Sequence, residues 1–444
     1  MKKNKISLFI SIAILLGFGF SECTSINDPT TDPSPNPEEP TASNIIRKDI
    51  ELEPEETQIA LRQCELPIKL LASAYKTERN ANVMISPFSA AMVLGMMTNA
   101  IDPADRNELF ETLNINSEEL DSYNKYAQKL MASMPQLDPS STLIVNNGFW
   151  LNTTGTISSE YSSILSNCYL SEIEKFNSFN KTIYDEINGW VNEKTFGKIS
   201  SIMKEEDLNL DLDEIWVNAL YFKGSWLQKF DKEQTEKSPF YFSYPNAFAQ
   251  DVDMMVNDGL HYFHYFTPEG AMSGEVNIIK TVMLPFGNES FIFLAVLPSE
   301  NNPGIDETLD KLTPEYWDTI DGILNRGKGM GYLTVKLPKI NYNKETNFIP
   351  LLQEMGLTNI FESVSMKSNL DFIDQKICIF RQKNILELDE EGSEVGSSTA
   401  GAGMITWGGS ESEQNIILFN RPFIYFVRER STGTVLLAGV YSHP

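Results

Sequence analysis

A run of sixteen residues from Val395 to Ser410 carries no charged side chain and no proline. In a chain of 444 residues with 61 acidic side chains against 35 basic ones, this run constrains the fold more than any other segment. It is mostly Gly, Ser, Ala and Thr, the composition of an exposed flexible connection. Yet a strand is not forbidden there. A proline would delete a ladder donor, and a charge on one face could not be buried. A segment open to both forms has the physical properties of a switch. Glu390-Glu391-Gly392 introduces it, and Asn420-Arg421-Pro422-Phe423 closes it.

The 41% hydrophobic content, with 11% aromatics, suffices for a large core, and the length suits one large domain or two ordinary ones. A formal net charge of −26 opposes binding to nucleic acid, which needs Lys and Arg to displace counterions from phosphates. The same charge opposes binding to anionic lipid headgroups. An acidic surface chiefly keeps a chain soluble, and a monomer is expected.

Residues 1–22 have the form of a secretory signal. Lys2, Lys3 and Lys5 precede an apolar run, Ile6–Phe20, that is too short to span a bilayer comfortably. Cys23 follows at once, heading a tether over residues 23–48 whose Asp28–Pro40 portion is rich in Pro, Thr, Asp and Glu. That order looks like a bacterial lipoprotein with a lipidated Cys23, although Glu22 departs from the small residue usual before such a cysteine. Plain cleavage and release is the other outcome. Either way export is expected, extracellular or at the cell envelope, with a membrane touched only through that lipid. Cys64, Cys168 and Cys378 are odd in number, far apart and outside any CxxC. They are expected as buried thiols, not as a disulfide framework.

Periodicity places one domain over residues 49–444. Helical spacing runs through Glu55–Lys76 with a kink at Pro67, Phe88 to about Asn99, Ser117–Ser133, Ser159–Asn167 and the start of Lys181–Met203. Ser86-Pro87 reads as an N-cap with proline at the first helical position, and Gly197 as a C-terminal cap. Further helices are expected over Ile305–Leu312, Pro314–Leu324 and Lys344–Met355. Strands are expected over Val83–Ile85, Ser141–Asn152 and Glu214–Lys223. From Phe240 onward they dominate: Thr281–Leu284, Phe291–Leu297, Gly331–Leu337, Asn384–Asp389, Phe423–Arg428 and Val435–Tyr441. No strict βαβ rhythm appears, so the fold class is α+β with antiparallel sheet.

No catalytic constellation stands out. The histidines are His261, His264 and His443. His261-x-x-His264 sits among Tyr262, Phe263, Tyr265 and Phe266 and has no CxxC or HExxH partner, so an aromatic strand or turn fits better than a metal site. No GxSxG elbow, Walker loop or dinucleotide fingerprint occurs. The expectation is a protein without catalysis of its own, without cofactor and without metal.

Several segments carry a family resemblance. Asn82-Val83-Met84-Ile85-Ser86-Pro87-Phe88-Ser89 is similar to N-V-x-x-S-P-x-S, and Asn188–Ile199 to N-x-W-V-x-x-x-T-x-G-x-I. Asn218-Ala219-Leu220-Tyr221-Phe222-Lys223-Gly224-Ser225-Trp226 resembles N-x-x-x-F-K-G-x-W, the most specific of the set. Leu337-Pro338-Lys339, Leu386–Glu394 and Phe419–Phe423 complete it. In this order they resemble the serpins, from about Glu55 to Pro444.

The resemblance implies a serpin fold: three β-sheets, about nine helices and an exposed reactive-centre loop, here about residues 390–419. It implies a suicide inhibitor of serine proteases, and in some members of cysteine proteases. The loop is cut, an acyl-enzyme forms, and the cut loop enters the central sheet before the ester hydrolyses. The hinge maps to Glu390, Gly392, Ser393, Glu394 and Val395. The shutter maps to Ser86, Ser89 and Asn218, with Gln382 in place of the family's usual histidine, and the breach to Trp226. An amide can donate and accept like neutral imidazole, so the network is expected to survive that replacement. Counting alternately, Val395, Ser397, Thr399, Gly401 and Gly403 would face inward, all acceptable to a buried strand.

Family spacing counted forward from Gly392 places the reactive bond at Thr406–Trp407, with Met404 and Ile405 adjoining. Counted backward from Asn420, it falls near Ser410–Glu411. Neutral residues there disfavour trypsin-like targets and suit elastase-, chymotrypsin- or subtilisin-like ones, with papain-like enzymes also admitted. The alternative is a non-inhibitory serpin, a binding or carrier module whose loop is simply cut.

Overall fold

The computed structural model describes residues 46–79, 81–153, 156–210, 212, 214–242, 248–267, 278–301, 304–326, 329–362, 379–392 and 415–444. The chain begins with α1 (Pro54–Arg62), α2 (Glu65–Thr77), β1 (Val83–Ile85), α3 (Pro87–Ala100), α4 (Asn107–Leu113) and α5 (Leu120–Ser133). Then come β2 (Ser141–Asn152), α6 (Ser159–Cys168), β3 (Ser171–Phe176), α7 (Lys181–Lys194) and β4 (Glu214–Gly224). Next are β5 (Asp231–Tyr241), β6 (Ala249–Phe266), β7 (Ile279–Pro285), β8 (Phe291–Leu297), α8 (Ile305–Leu309), α9 (Pro314–Arg326) and β9 (Met330–Pro338). Last are β10 (Ile340–Asn347), α10 (Ile349–Glu354), α11 (Asn359–Glu362), β11 (Arg381–Leu388), β12 (Ile416–Leu418), β13 (Phe423–Glu429) and β14 (Val435–Tyr441).

These form an α+β fold with three sheets. The largest has the order β1-β14-β13-β8-β7-β6-β9-β12, with β5 added on β6. The second is β3-β2-β4 and the third is the antiparallel pair β10-β11. Every residue of α3 is buried, and its sequence is apolar on all sides, the signature of a helix enclosed by other elements. Gly95 permits this enclosure, because a Cβ there would stand 2.4 Å from the Tyr169 hydroxyl.

Three expectations need correction. The first helix breaks at Gln63-Cys64, while Pro67 lies in the first turn of α2, where its missing N–H is no loss. The helix expected over Lys344–Met355 is strand β10 up to Asn347 and helix only from Ile349. Cys64 and Cys168 are free and half-buried, not fully buried, and Cys378 lies outside the described residues.

Candidate functional site

The β3-β2-β4 sheet and the β10-β11 pair lie edge to edge. Strand β4 pairs with β2 on one side and β11 pairs with β10 on one side, but no ladder joins β4 to β11 among the described residues. Their C-terminal ends meet, where Ser225 is bridged to Gly392, so the two strands run in the same direction along a gap. A core that includes Trp216, Leu220, Phe222, Leu386 and Leu388 fills one face of the gap, the face toward α3. A second cluster, built by Ile187 and Val191 of α7 with Ile215, Val217 and Ala219, covers the other.

The upper end is closed by backbone and charge together. Gly392 is bridged to Asp389 on the β11 side and to Ser225 on the β4 side, so one residue already stands between the two strands. The N–H of Trp226 donates to the Glu391 carbonyl at 2.9 Å, and its indole N–H donates to the Asp389 carbonyl at 2.8 Å. Its ring stacks on Phe286 at 4.5 Å. The Glu390 carboxylate accepts from Thr235 at 2.7 Å and pairs with Lys339 at 2.8 Å. Lys229 and Lys232, the latter at 2.9 Å, both pair with Glu391. Burial pushes the Glu390 carboxyl up, but the bonds from Lys339 and Thr235 outweigh it and hold the group below its ordinary range. The hydrogen bonds from Lys229 and Lys232 hold Glu391 low as well.

Further along, Gln382 of β11 is clamped to the N-cap of α3. Its Oε1 accepts from the Ser86 N–H and its Nε2 donates to the Ser86 carbonyl, both at 2.8 Å. The Ser86 hydroxyl caps the helix by accepting from the Ser89 N–H at 3.2 Å and lies 3.0 Å from the Ser89 hydroxyl. Asn384 donates weakly to Gln382 at 3.4 Å. Across the gap, Asn218 donates to Asn147 of β2 at 2.8 Å, and its own Oδ1 has no hydrogen-bond partner. The structure thus brings Ser86, Ser89 and Gln382 into one cluster and leaves Asn218 facing it from the opposite bank.

The chain leaves β11 at Gly392 and returns at Asn415, whose carbonyl accepts from Thr334 of β9 just before β12 joins that strand in parallel. Ser393, Glu394, Val395, Met404, Ile405, Thr406, Trp407 and Cys23 lie outside the described residues.

A sequence profile of the family described as Serpin (serine protease inhibitor) matches residues 62–444. The chain belongs to the serpin family. It is 27% identical over 378 residues to Iripin-3 of Ixodes ricinus, covering 82% of this chain and 89% of that protein. It is 25% identical over 391 residues to human neuroserpin, covering 86% and 90%. Among solved structures, the thermophilic serpin tengpin in its native state matches with a TM-score of 0.72 at 23% identity, covering 91% of this chain and 98% of that one. Human thyroxine-binding globulin complexed with thyroxine matches with a TM-score of 0.73 at 19% identity, covering 88% of this chain and 99% of that one. These last two likenesses concern the fold.

Sequence reasoning missed the lysines that clamp this serpin's loop base. Lys229 and Lys232 follow Trp226 closely but alternate with Asp231 and Glu233, so no local excess of positive charge marks them in the sequence. The histidines lie where an aromatic strand puts them: His261 and His264 are three apart on β6 and so face opposite sides of the sheet. Burial pushes His261 down to about 4, which keeps it neutral near pH 7. Among the described residues no group of three or more His, Cys, Asp or Glu is placed to hold a metal, and no helix is long and apolar enough to cross a membrane.

Proposed function

We propose that this serpin is an exported suicide inhibitor of serine proteases that inserts its cut loop between β4 and β11. The observation that carries this reading is the position of Gly392, bridged to both strands at the mouth of the gap. Extending both bridges inward makes the loop antiparallel to each bank. Counting down β11 as the loop counts up, residues 393, 395, 397 and 399 come opposite Leu388, Leu386, Asn384 and Gln382. On β4 the same residues come opposite Gly224, Phe222, Leu220 and Asn218.

These β11 partners are all buried, and Phe222 and Leu220 belong to the core toward α3. So Ser393, Val395, Ser397 and Thr399 would enter that core, small or neutral residues at the positions where a charge would be costly. Thr399 would arrive between Gln382 and Asn218, whose Oδ1 lacks a partner. A strand with neighbours on both edges gains ladder bonds on both, each worth about 0.5–1.5 kcal/mol net. The uncut form is then a kinetic trap above a more stable inserted state.

The bond we assign is Thr406–Trp407, and its neutral flank favours elastase-, chymotrypsin- or subtilisin-like targets. The purified protein is mixed with chymotrypsin, elastase, subtilisin and papain and run on denaturing gels. A protease–serpin band that survives SDS supports the reading. Clean loop cleavage by every enzyme overturns it in favour of a binding or carrier module.

A further inference from the structure

Between α7 and β4 the chain detours across the gap. Asn188 of α7 pins the detour's start, its Oδ1 accepting from the N–H groups of Ile202 and Met203 at 2.8 and 2.9 Å. Lys204 then reaches Glu345 of β10 at 2.7 Å. Asp207, almost fully buried, pairs with Arg381 at the start of β11 at 2.5 Å, and Glu206 approaches the same guanidinium at 3.5 Å. Beneath, Ile199, Ile202, Met203 and Leu212 share a core with Ile215, Val217 and Ala219 of β4, and Ile385 of β11 packs against it. The segment 199–210 is a strap tied to both banks, sharing the core of β4 and held by charge to β11.

We propose that the Arg381–Asp207 pair is the buckle of this strap: a strand can enter the gap as far as Gln382, and the buckle must open before it passes Arg381. The inference rests on the insertion reading above. Its warrant is geometric. A strand admitted between β4 and β11, which no ladder among the described residues now joins, pushes the banks out to two strand spacings, roughly 9.6 Å. An ion pair made at 2.5 Å by a strap anchored on the other bank does not survive that displacement. Asp207 is then left buried without its counterion, and its Oδ1 has no hydrogen-bond partner even before the separation. The opening is therefore costly for a carboxylate and cheaper for a neutral amide.

The register says where the buckle acts. In the extended pairing residue 399 lies opposite Gln382 and residue 400 opposite Arg381. Two synthetic peptides copying this chain, residues 393–399 and residues 393–406, separate the stages without any protease. Each is labelled and incubated with the intact full chain, and incorporation is followed on native gels. Asp207→Asn is expected to speed entry of the longer peptide about tenfold and to leave the shorter one within twofold, these magnitudes reflecting loss of one buried charge. Arg381→Gln attacks the same pair from the other bank and is expected to act alike. The exchanged pair, Asp207→Arg with Arg381→Asp, should restore slow entry.

Equal acceleration of both peptides means a generally loosened sheet, and unchanged rates mean no buckle; either result overturns the inference while leaving insertion intact. If the unaltered protein admits neither peptide, the insertion reading fails and the buckle fails with it.

Discussion

Gly392 approaches Gly224 so closely that a Cβ on it would stand 2.2 Å from the Gly224 carbonyl oxygen. Its φ of +129° lies in a region that residues with side chains avoid. Both facts follow from the position of this one residue between two strands. They make the loop base a place where sequence identity, sterics and the mouth of the gap coincide.

The first prediction is that Gly392→Ala destabilises the uncut protein. Backbone strain of this kind costs about 1–3 kcal/mol, and the contact with Gly224 adds to it. The urea midpoint should fall while the slope of the transition stays the same. An unchanged midpoint would mean that Gly392 does not occupy the bridged position in solution.

The second prediction concerns Glu390 and Glu391, held low by Lys339 and Thr235 and by Lys229 and Lys232. For carboxyls whose folded pKa is depressed, the linked stability is fully present above the unfolded value and is lost as pH falls through the folded one. The latch should therefore hold at neutral pH and weaken as pH drops below about 4, the ordinary glutamate value. Salt should loosen it too, since Lys232 and Lys339 are well exposed. Protection from hydrogen exchange at the Trp226 indole and at the Glu391 N–H, taken relative to the intrinsic rate at each pH, should fall on acidification. Glu391→Gln should remove its own share of the pH dependence and leave that of Glu390, without abolishing the fold.

The third prediction is that Gln382→Leu costs about 2 kcal/mol, because it strands the buried N–H of Ser86 and leaves its carbonyl only the bond from the Ala90 N–H at 3.1 Å. Gln382→His tests the same site more gently, an imidazole being able to donate or accept but not to grip both groups at once in this geometry. Thermal denaturation of the two variants should rank leucine below histidine and histidine below the native glutamine.

Much of this architecture is legible in the sequence, for local reasons. Alternation in Ser141–Asn152 and Glu214–Lys223 gives both strands because each is buried on at least one face over most of its length. Ser86-Pro87 gives the start of α3 because the cap is made by residues three apart. Strand β10 was hidden for the opposite reason. Asn341, Asn343, Lys344 and Glu345 carry no apolar alternation, and the strand exists because its eight residues pair with β11. The clamps on Glu390 and Glu391 were equally hidden. They join residues some 50 to 160 positions apart, and an acidic chain offers no pattern that selects which carboxylates a given lysine will meet.

The last prediction tests insertion through the faces of the inserted strand. In the proposed register Thr399 faces the buried cluster of Gln382 and Ser86, whereas Ser398 faces α7. Thr399→Arg would require a cation in the core toward α3, where no carboxylate among the described residues adjoins Gln382. Ser398→Arg would place the same cation at the edge of the second cluster, beside Ala219 but opposite the half-buried Lys383, where the sheet already carries a solvated charge. Neither substitution touches the assigned bond, so both variants should be cut by a chymotrypsin-like enzyme at similar rates. Only Thr399→Arg should lose the SDS-resistant complex and release active protease, because a slow strand lets the acyl-enzyme hydrolyse first. Its cut form should also fail to gain the higher melting temperature expected of an inserted sheet. Equal behaviour of the two variants would place the loop in another register, or outside the sheet altogether.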